Sequence, residues 1–450
     1  MTGPEDEKTR ASSRRPTVVF LGFTSLSVGS GTEQFLLNIA RNAPTDEFRV
    51  VVVETDFAPS RRWDDRYVAA QLGPVEVRIL RSPRRSLDPD RLIEFASRSL
   101  GMYLLAAVAQ PVLRSVSARA IRRKNEETLR FIESADLIYL IRNEDRDWLD
   151  RDPSRTVLVG STHCDDLSGG LLAFESLPAR GMLRSLYGRI ANRSNRGTGR
   201  IDAYHVTQKG YWQNRLKRTT LDAYVPLGVD TARFRPGARE RPSGNIRFLF
   251  VGGLEPQKGI DLLLDAWKQV ASARGELHIV GQGRLGGRVG ERALADPRIH
   301  FHGVLEPGAL TGLYGSCDIF VLPSRYETLG LVVLEALSSG LYVLASETMR
   351  GVFDDFCEEG ALEYLDTNPR PLSRRLQVLC ENPPPLDDDL RDALHRRVES
   401  QYDWKRVTGE LFEWFDRLLE TRRQTRSPGP PPAHRTDDPS AVARQQVDAR

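Results

Sequence analysis

Short apolar runs alternate with stretches of helical periodicity along this chain, and the alternation starts twice. From Thr17 the sequence reads Val18-Val19-Phe20-Leu21, the pattern of a buried strand. A Gly/Ser loop, a helix over 32–41 and a second strand at 50–53 follow. Further strands are expected at 137–141, 156–159 and 203–206. A turn-rich stretch from Gly228 to Gly244 then interrupts, and the pattern begins again with an apolar run at 246–251. Behind it come Gly252-Gly253, a helix over 260–273, and strands at 277–280, 299–301, 319–322 and 342–344. Helices between strands return the chain to the same edge in the same direction, so this order predicts parallel sheets. Its restart after a linker predicts two of them rather than one barrel. The expected fold is α/β, two Rossmann-like doubly wound domains facing across a cleft, with ligands at the carboxyl ends of the strands.

A chain of 450 residues suits this division, because single cores hold about 100–200 residues. Residues 1–15 and 424–450 are rich in Pro, Arg, Asp, Ser and Gln and are expected to be disordered tails. Between them we expect a first domain over 16–235, a second over 236–400, and a helix over 401–423 that packs back on the first domain. Lys and Arg total 64 against 61 Asp and Glu, a net charge of +3 without the concentrated basic surface that nucleic-acid binding needs. The four cysteines, Cys164, Cys317, Cys357 and Cys380, lie far apart and form no Cys-x-x-Cys pair, which suggests neither a zinc site nor a disulfide framework. The polar, charged start has no apolar core of a secretory signal, so a cytoplasmic location is expected.

The segment Pro323-Ser324-Arg325-Tyr326-Glu327-Thr328-Leu329-Gly330 joins an apolar strand to a helix expected to run to about Ser339, with Thr328 as its cap. Free N–H groups and the positive dipole end at a helix start suit a diphosphate, and Gly330 lets an anion approach the backbone. Glu335 lies about two turns, ~10 Å, beyond that cap, the distance of a ribose whose phosphate sits at the helix start. Glu327 in the loop would face the sugar. Lys258, after the Gly252-Gly253 turn, could reach the same diphosphate.

These segments closely resemble the C-terminal half of family-4 retaining glycosyltransferases, which have the two-domain GT-B fold. The matching stretches are VPLGVDTARFRP at 225–236, FVGGLEPQKGIDLLLDAW at 250–267, HIVGQG at 278–283, IHFHGVL at 299–305 and CDIFVLPSRYETLGLVVLEALSSGLYVLAS at 317–346, in the family's order. The resemblance implies a donor site for a nucleoside diphosphate sugar, a UDP- or GDP-sugar, made by Gly253, Lys258, Gly281, Val304, Glu327, Thr328, Leu329, Gly330 and Glu335. It gives Glu327 the donor sugar hydroxyls, Glu335 the ribose and Lys258 the phosphates. Many relatives have arginine where this chain has Gly253, which leaves more of the phosphate to backbone donors or to Arg284. In the first half, Gly29-Ser30-Gly31-Thr32 resembles the family's glycine loop beside sugar and acceptor, and His163 matches a histidine facing the donor sugar. Glu327, His163 and Lys258 are thereby the implied catalytic residues. No cofactor and no metal are implied, and the expected reaction is a retaining, metal-independent sugar transfer to a glycan or lipid-linked acceptor.

Gln34 stands where a dinucleotide fingerprint needs its third glycine, which disfavours dehydrogenase chemistry. Asp88-x-Asp90, Asp145-x-Asp147 and Asp150-x-Asp152 could hold a divalent ion against a diphosphate, but none follows an apolar strand closely, and surface ion pairs explain them as well. Residues 100–113 are almost wholly apolar and flanked by basic residues over 98–124. That run is too short to span a bilayer. It fits an interfacial helix on anionic lipid and a helix packed in the first domain equally. Two rivals share the architecture: a nucleotide-sugar epimerase, and a binding protein without turnover.

Overall fold

A computed structural model describes residues 14–22, 31–55, 70, 72–81, 116, 118–161, 201–207, 221–237, 244–325, 327, 330–384 and 387–426. Within them the chain forms two parallel sheets. The first contains β1 (Thr17–Leu21), β2 (Arg49–Thr55), β3 (Glu76–Leu80), β4 (Leu137–Leu140), β5 (Val157–Ser161), β6 (Ala203–Val206) and β7 (Ala223–Tyr224), in the order β3-β2-β1-β4-β5-β6-β7. The second contains β8 (Ile246–Val251), β9 (Gly275–Val280), β10 (Ile299–Gly303), β11 (Ile319–Leu322), β12 (Tyr342–Ser346) and β13 (Leu362–Leu365), ordered β10-β9-β8-β11-β12-β13. Both orders run outward from a first strand, jump back and run the other way, so the carboxyl ends of β1/β4 and of β8/β11 each open onto a crevice. The two doubly wound domains expected from the sequence are present.

Central strands are continuous β-branched and aliphatic runs because both faces are covered. All residues of β1, β4, β5, β11 and β12 are buried. The strands that sequence reading missed are β3, β7 and β13, at or next to sheet edges. In β3 the apolar side chains alternate with Glu76 and Arg78, and Ile79 is 53% exposed, so burial is too slight to leave an apolar run. Arg78 instead lies flat over the Phe131 ring, 3.5 Å from its centre, an edge held by a cation–π contact.

Five helices position the site or join the domains: α1 (Gly31–Asn42), α2 (Ile260–Trp267), α3 (Pro307–Ser316), α4 (Leu331–Ser338) and α5 (Trp404–Arg426). The last of these crosses back to the first domain. Val407, Leu411, Phe415 and Leu418 recur at helical spacing and join Phe20, Phe35 and Tyr139 in the core of the first sheet. The helix continues three residues beyond the expected end at 423, into what was expected to be a tail. The other expected tail residues, 1–13 and 427–450, lie outside the described residues. The cores divide earlier than the expected boundary at 235: Leu227 packs in the first, whereas Val229 and Phe234 pack in the second, where Phe234 meets Tyr314 edge-on at 5.2 Å.

The two passages between domains run side by side. The Val229 N–H donates to the Tyr402 carbonyl (2.7 Å), the Trp404 N–H to the Val229 carbonyl (3.3 Å), and the Thr231 hydroxyl to the Asp403 carboxylate (2.5 Å). Gly228 is required there, since a Cβ would lie 2.5 Å from the Trp404 ring.

His205 on β6 is wholly buried, and its Nε2–H donates to the Val225 carbonyl at 2.8 Å. Nδ1 is therefore the acceptor of the Tyr139 O–H, 2.5 Å away. Burial pushes this imidazole down to about 4, with the Val225 bond opposing the shift only in part. An unfolded histidine titrates near ~6.5, so the unfolded state gains a proton first as pH falls. The contribution to stability is complete above pH ~6.5 and disappears on the way down to about 4. Between pH 7.5 and 4.5 this group alone should remove about 2–3 kcal/mol. Urea unfolding at both pH values should show that excess loss in the wild type and not in His205→Gln. Equal pH slopes would refute it.

Candidate active site

The carboxyl ends of β8 and β11, the crevice of the second sheet, carry Lys258 and Glu327. After β8 the chain makes a short 3₁₀ turn, Pro256–Lys258, and closes it on Gly259 at φ 71°. A Cβ at Gly259 would lie 1.9 Å from the Pro323 carbonyl oxygen, so only glycine lets this turn press against the end of β11. The contact is reinforced by Arg325. Its N–H donates to the Gln257 carbonyl (2.9 Å), and its guanidinium grips both Asp261 carboxylate oxygens at 2.7 and 2.8 Å and reaches the Pro256 carbonyl. Burial pushes the Asp261 carboxyl up, but the Arg325 hydrogen bonds and charge, with N–H groups of its own helix start, outweigh this and hold it below the usual range.

With the two loops so fixed, Lys258 Nζ donates to Glu327 Oε2 at 2.6 Å. The Glu327 side chain is 8% exposed and that of Lys258 26%, so the carboxylate is buried and the lysine beside it is the more open of the two. A cation here can meet an incoming diphosphate while the carboxylate beside it accepts from hydroxyls. Glu335, on α4, accepts from the Tyr314 hydroxyl of α3 at 2.8 Å. Burial, then the neighbouring Glu335 charge, pushes the Tyr314 phenol well above its usual range, so it stays a donor and orients the carboxylate.

The start of α4 differs from expectation. Gly330, at φ 60°, occupies the cap position and the helix begins at Leu331, whereas the sequence placed the cap at Thr328. Glu335 is therefore five residues past the cap rather than seven, little more than one turn. The Gly330 conformation also suits a residue without a side chain, since a Cβ would meet Met349 at 2.3 Å. Thr328 and Leu329 lie outside the described residues, as do His163 and Gly29. β5 ends at Ser161, two residues before His163.

The remaining expected positions divide clearly. Gly281 follows β9 at φ 143°, and a Cβ there would be 1.9 Å from the Gly252 carbonyl oxygen, so the two strand-end loops touch through backbone alone. Val304 follows β10 and is 42% exposed. Gly253 is exposed with open space where a Cβ would point. Arg284 is 73% exposed and faces Glu255 at 3.4 Å, a surface pair that holds it only loosely. From the first domain, Gly31 starts α1, and a Cβ on it would be 3.8 Å from Leu331 Cδ1. Gly31 thus approaches the start of α4 across the cleft. Thr32 is the second residue of α1.

Sequence reading missed Gly259, Asp261, Arg325 and Tyr314. Asp261 and Arg325 flank the recognised Lys258 and Glu327, but nothing local shows that they pair across 64 residues. The Asp-x-Asp carboxylates that are described are already engaged. Asp145 pairs with Arg142 (3.2 Å), Asp147 with Arg146 (3.7 Å), Asp150 with Arg122 (3.9 Å), and Asp152 accepts from the Ser154 N–H and hydroxyl. Asp88 and Asp90 lie outside the described residues. So does most of 98–124, apart from its end, where Ile121 packs in the first domain and Arg122 bridges to Glu133 at 2.6 Å. Among the described residues no helix is long and apolar enough to cross a membrane.

Known proteins share this arrangement. Residues 245–382 match the model of the family described as glycosyl transferases group 1. The sulfoquinovosyl transferase SQD2 of Arabidopsis thaliana is 30% identical over 202 residues, covering 41% of this chain and 38% of that protein. A GDP-mannose-dependent phosphatidylinositol dimannoside mannosyltransferase of Mycobacterium tuberculosis is 26% identical over 281 residues, covering 60% of this chain and 69% of its own. Among solved structures, Anabaena HepE in complex with UDP-glucose superposes with a TM-score of 0.59 at 16% identity, over 90% of this chain and all of that one. Residues 245–382 thus carry the sequence pattern of the glycosyl transferases group 1, and the two sheets have the GT-B fold of the solved glycosyltransferases that they superpose on.

Proposed function

We propose that this protein transfers a sugar from a nucleoside diphosphate sugar to an acceptor, with retention at the anomeric carbon and without a metal ion. The observation that carries the reading is the Lys258–Glu327 pair at the switch point of the second sheet, 2.6 Å across, with Glu335 one helix further on. In this reading the bond from the anomeric carbon to the donor phosphate breaks while the acceptor oxygen attacks from the same face, and the acceptor proton passes to the departing diphosphate. Lys258 and the free N–H groups at the start of α4 stabilise the charge that develops there. Glu327 holds sugar hydroxyls and Glu335 takes the ribose, and the resemblance adds His163 to the groups that face the sugar. Closure of the cleft over donor and acceptor excludes water, which would otherwise take the sugar.

Relatives named for GDP-mannose and for a phosphatidylinositol dimannoside support a nucleotide-sugar donor and a lipid-borne acceptor. The UDP-glucose bound by HepE supports the same class of donor. The engagement of the described Asp-x-Asp carboxylates by arginines and turn donors supports charge compensation by Lys258 in place of a metal.

The test is a mass-spectrometric screen of nucleotide sugars with and without lipid and glycan extracts. Acceptor-dependent release of free nucleoside diphosphate is expected. Interconversion of two nucleotide sugars would mark an epimerase instead, and a panel in which nothing binds or turns over would refute the reading. Because Gly253 is exposed and unobstructed, Gly253→Arg should fold normally and lower the KM for the donor by about 3–10-fold through one more charge on the phosphates.

A further inference from the structure

Three histidines and a glutamate converge on one face of the second sheet, at its β10 edge and apart from the Lys258–Glu327 pair. Glu276 and His278 alternate on β9, so both point to the same face, and His300 and His302 do the same on β10. The parallel register sets His300 directly beside His278 and Arg247 beside Glu276. The His278 ring stacks 4.7 Å from that of His300 and 5.3 Å from that of His302. Ligand atoms of Glu276, His278 and His300 all lie within 4.8 Å of one another, and each of the three residues is partly open to solvent.

The hydrogen bonds orient this group. His278 Nδ1 and His302 Nε2 are 3.0 Å apart, whereas His278 Nε2 is buried with no hydrogen-bond partner and lies 3.8 Å from Glu276 Oε2. A proton on Nε2 would be buried without an acceptor in reach, so Nδ1 carries it and donates to His302. That leaves a bare nitrogen lone pair 3.8 Å from a carboxylate oxygen, two acceptors with no proton between them. Asn245 donates to the other Glu276 oxygen at 2.7 Å and fixes the carboxylate in that pose. Arg247, 3.5 Å from Oε2, supplies the positive charge next to this gap.

We propose that Glu276, His278 and His300 hold one zinc ion, clamping β9 to the edge strand β10. Imidazole nitrogen with carboxylate oxygen is a donor set that zinc accepts at about 2.0–2.2 Å. Around a tetrahedral ion the ligand atoms stand about 3.3 Å apart, so a small rotation of partly exposed side chains closes the site, and water completes it. His302 positions the site: as the acceptor of His278 Nδ1–H it fixes the tautomer that presents Nε2, the outer partner that zinc-binding histidines use. Arg247 is the competing cation and must swing aside. The ion would be structural. It would tie together the two strands whose ends carry Gly281 and Val304, and it does not depend on whether sugar transfer is the reaction.

The test uses the full chain, stripped with a chelator and titrated with Zn²⁺ by calorimetry and with Co²⁺ by visible absorption. One equivalent of Zn²⁺ should bind with Kd about 1 µM or tighter, and Co²⁺ should give the ligand-field bands of a tetrahedral site. His300→Ala and, as a second variant, Glu276→Gln should each weaken binding at least 10-fold while keeping the far-UV spectrum and the Tm of the metal-free protein. His302→Ala should weaken it by about 10-fold and shift the Co²⁺ spectrum, an effect that packing alone would not produce. Zn²⁺ should raise the wild-type Tm and leave that of His300→Ala unchanged. Zinc binding of equal strength in wild type and in His300→Ala, or none in the wild type, would overturn the proposal.

Discussion

Lys258→Ala should lower the rate of sugar transfer by about 10²–10³-fold with the fold intact, and Glu327→Ala should do nearly the same. Both residues stand at strand ends and neither supports a core, so their removal leaves the two sheets as they are. An interaction that strengthens toward the transition state appears in kcat more than in KM. Since the two side chains act as one pair, the double variant should fall little below either single one. Steady-state release of nucleoside diphosphate, with thermal unfolding as the control, decides the matter. Single variants within about threefold of wild type would remove the pair from the chemistry.

Gly259→Ala carries the second large effect, on stability. The added Cβ would stand 1.9 Å from the Pro323 carbonyl oxygen, and backbone cannot move aside as a side-chain end can. A left-handed φ of 71° adds about 1–2 kcal/mol for any L-residue. The β8 loop must then part from the end of β11, breaking the Arg325 contacts to Asp261 and Pro256 and separating Lys258 from Glu327. A loss of about 3–5 kcal/mol is expected, with donor affinity reduced beyond what unfolding explains. Gly253→Ala is the comparison: two strand-end glycines, one with open space around it, whose substitution should change stability by less than about 0.5 kcal/mol. If both variants melt together, close approach at Gly259 is not what holds the loops.

Much of this architecture was legible because both sheets are buried on two faces. A strand such as β11 must then be a solid apolar run, and solid runs separated by helices can be found by eye. Where one face or one edge is open, as in β3 and β13, the same geometry tolerates Glu76, Arg78 and Glu363, and the signal fades. Lys258, Glu327 and Glu335 entered the candidate site through spacing and resemblance. The groups that aim them did not, because the pairing of Arg325 with Asp261 and of Tyr314 with Glu335 exists only after folding. The helix start was misjudged for a local reason. Threonine and glycine rank about equally as caps, so propensity could not choose between Thr328 and Gly330, and the left-handed turn at Gly330 is set by packing. The histidines of β9 and β10 escaped notice because they are 22 residues apart or more, and only parallel register makes them neighbours.

The hydrogen-bonded crossing at Val229 and Asp403 restricts how this molecule can move. A single covalent link would let the domains swivel, twist and bend independently. Two links lying side by side and bonded to each other suppress swivelling and twisting, because either would shear the contacts from Val229 to Tyr402 and Trp404. What survives is bending about one line through the crossing. With a single remaining degree of freedom, Gly31 at the start of α1 can return to the same place beside Leu331 of α4 on every closure, so alignment across the cleft becomes a property of the hinge instead of a search.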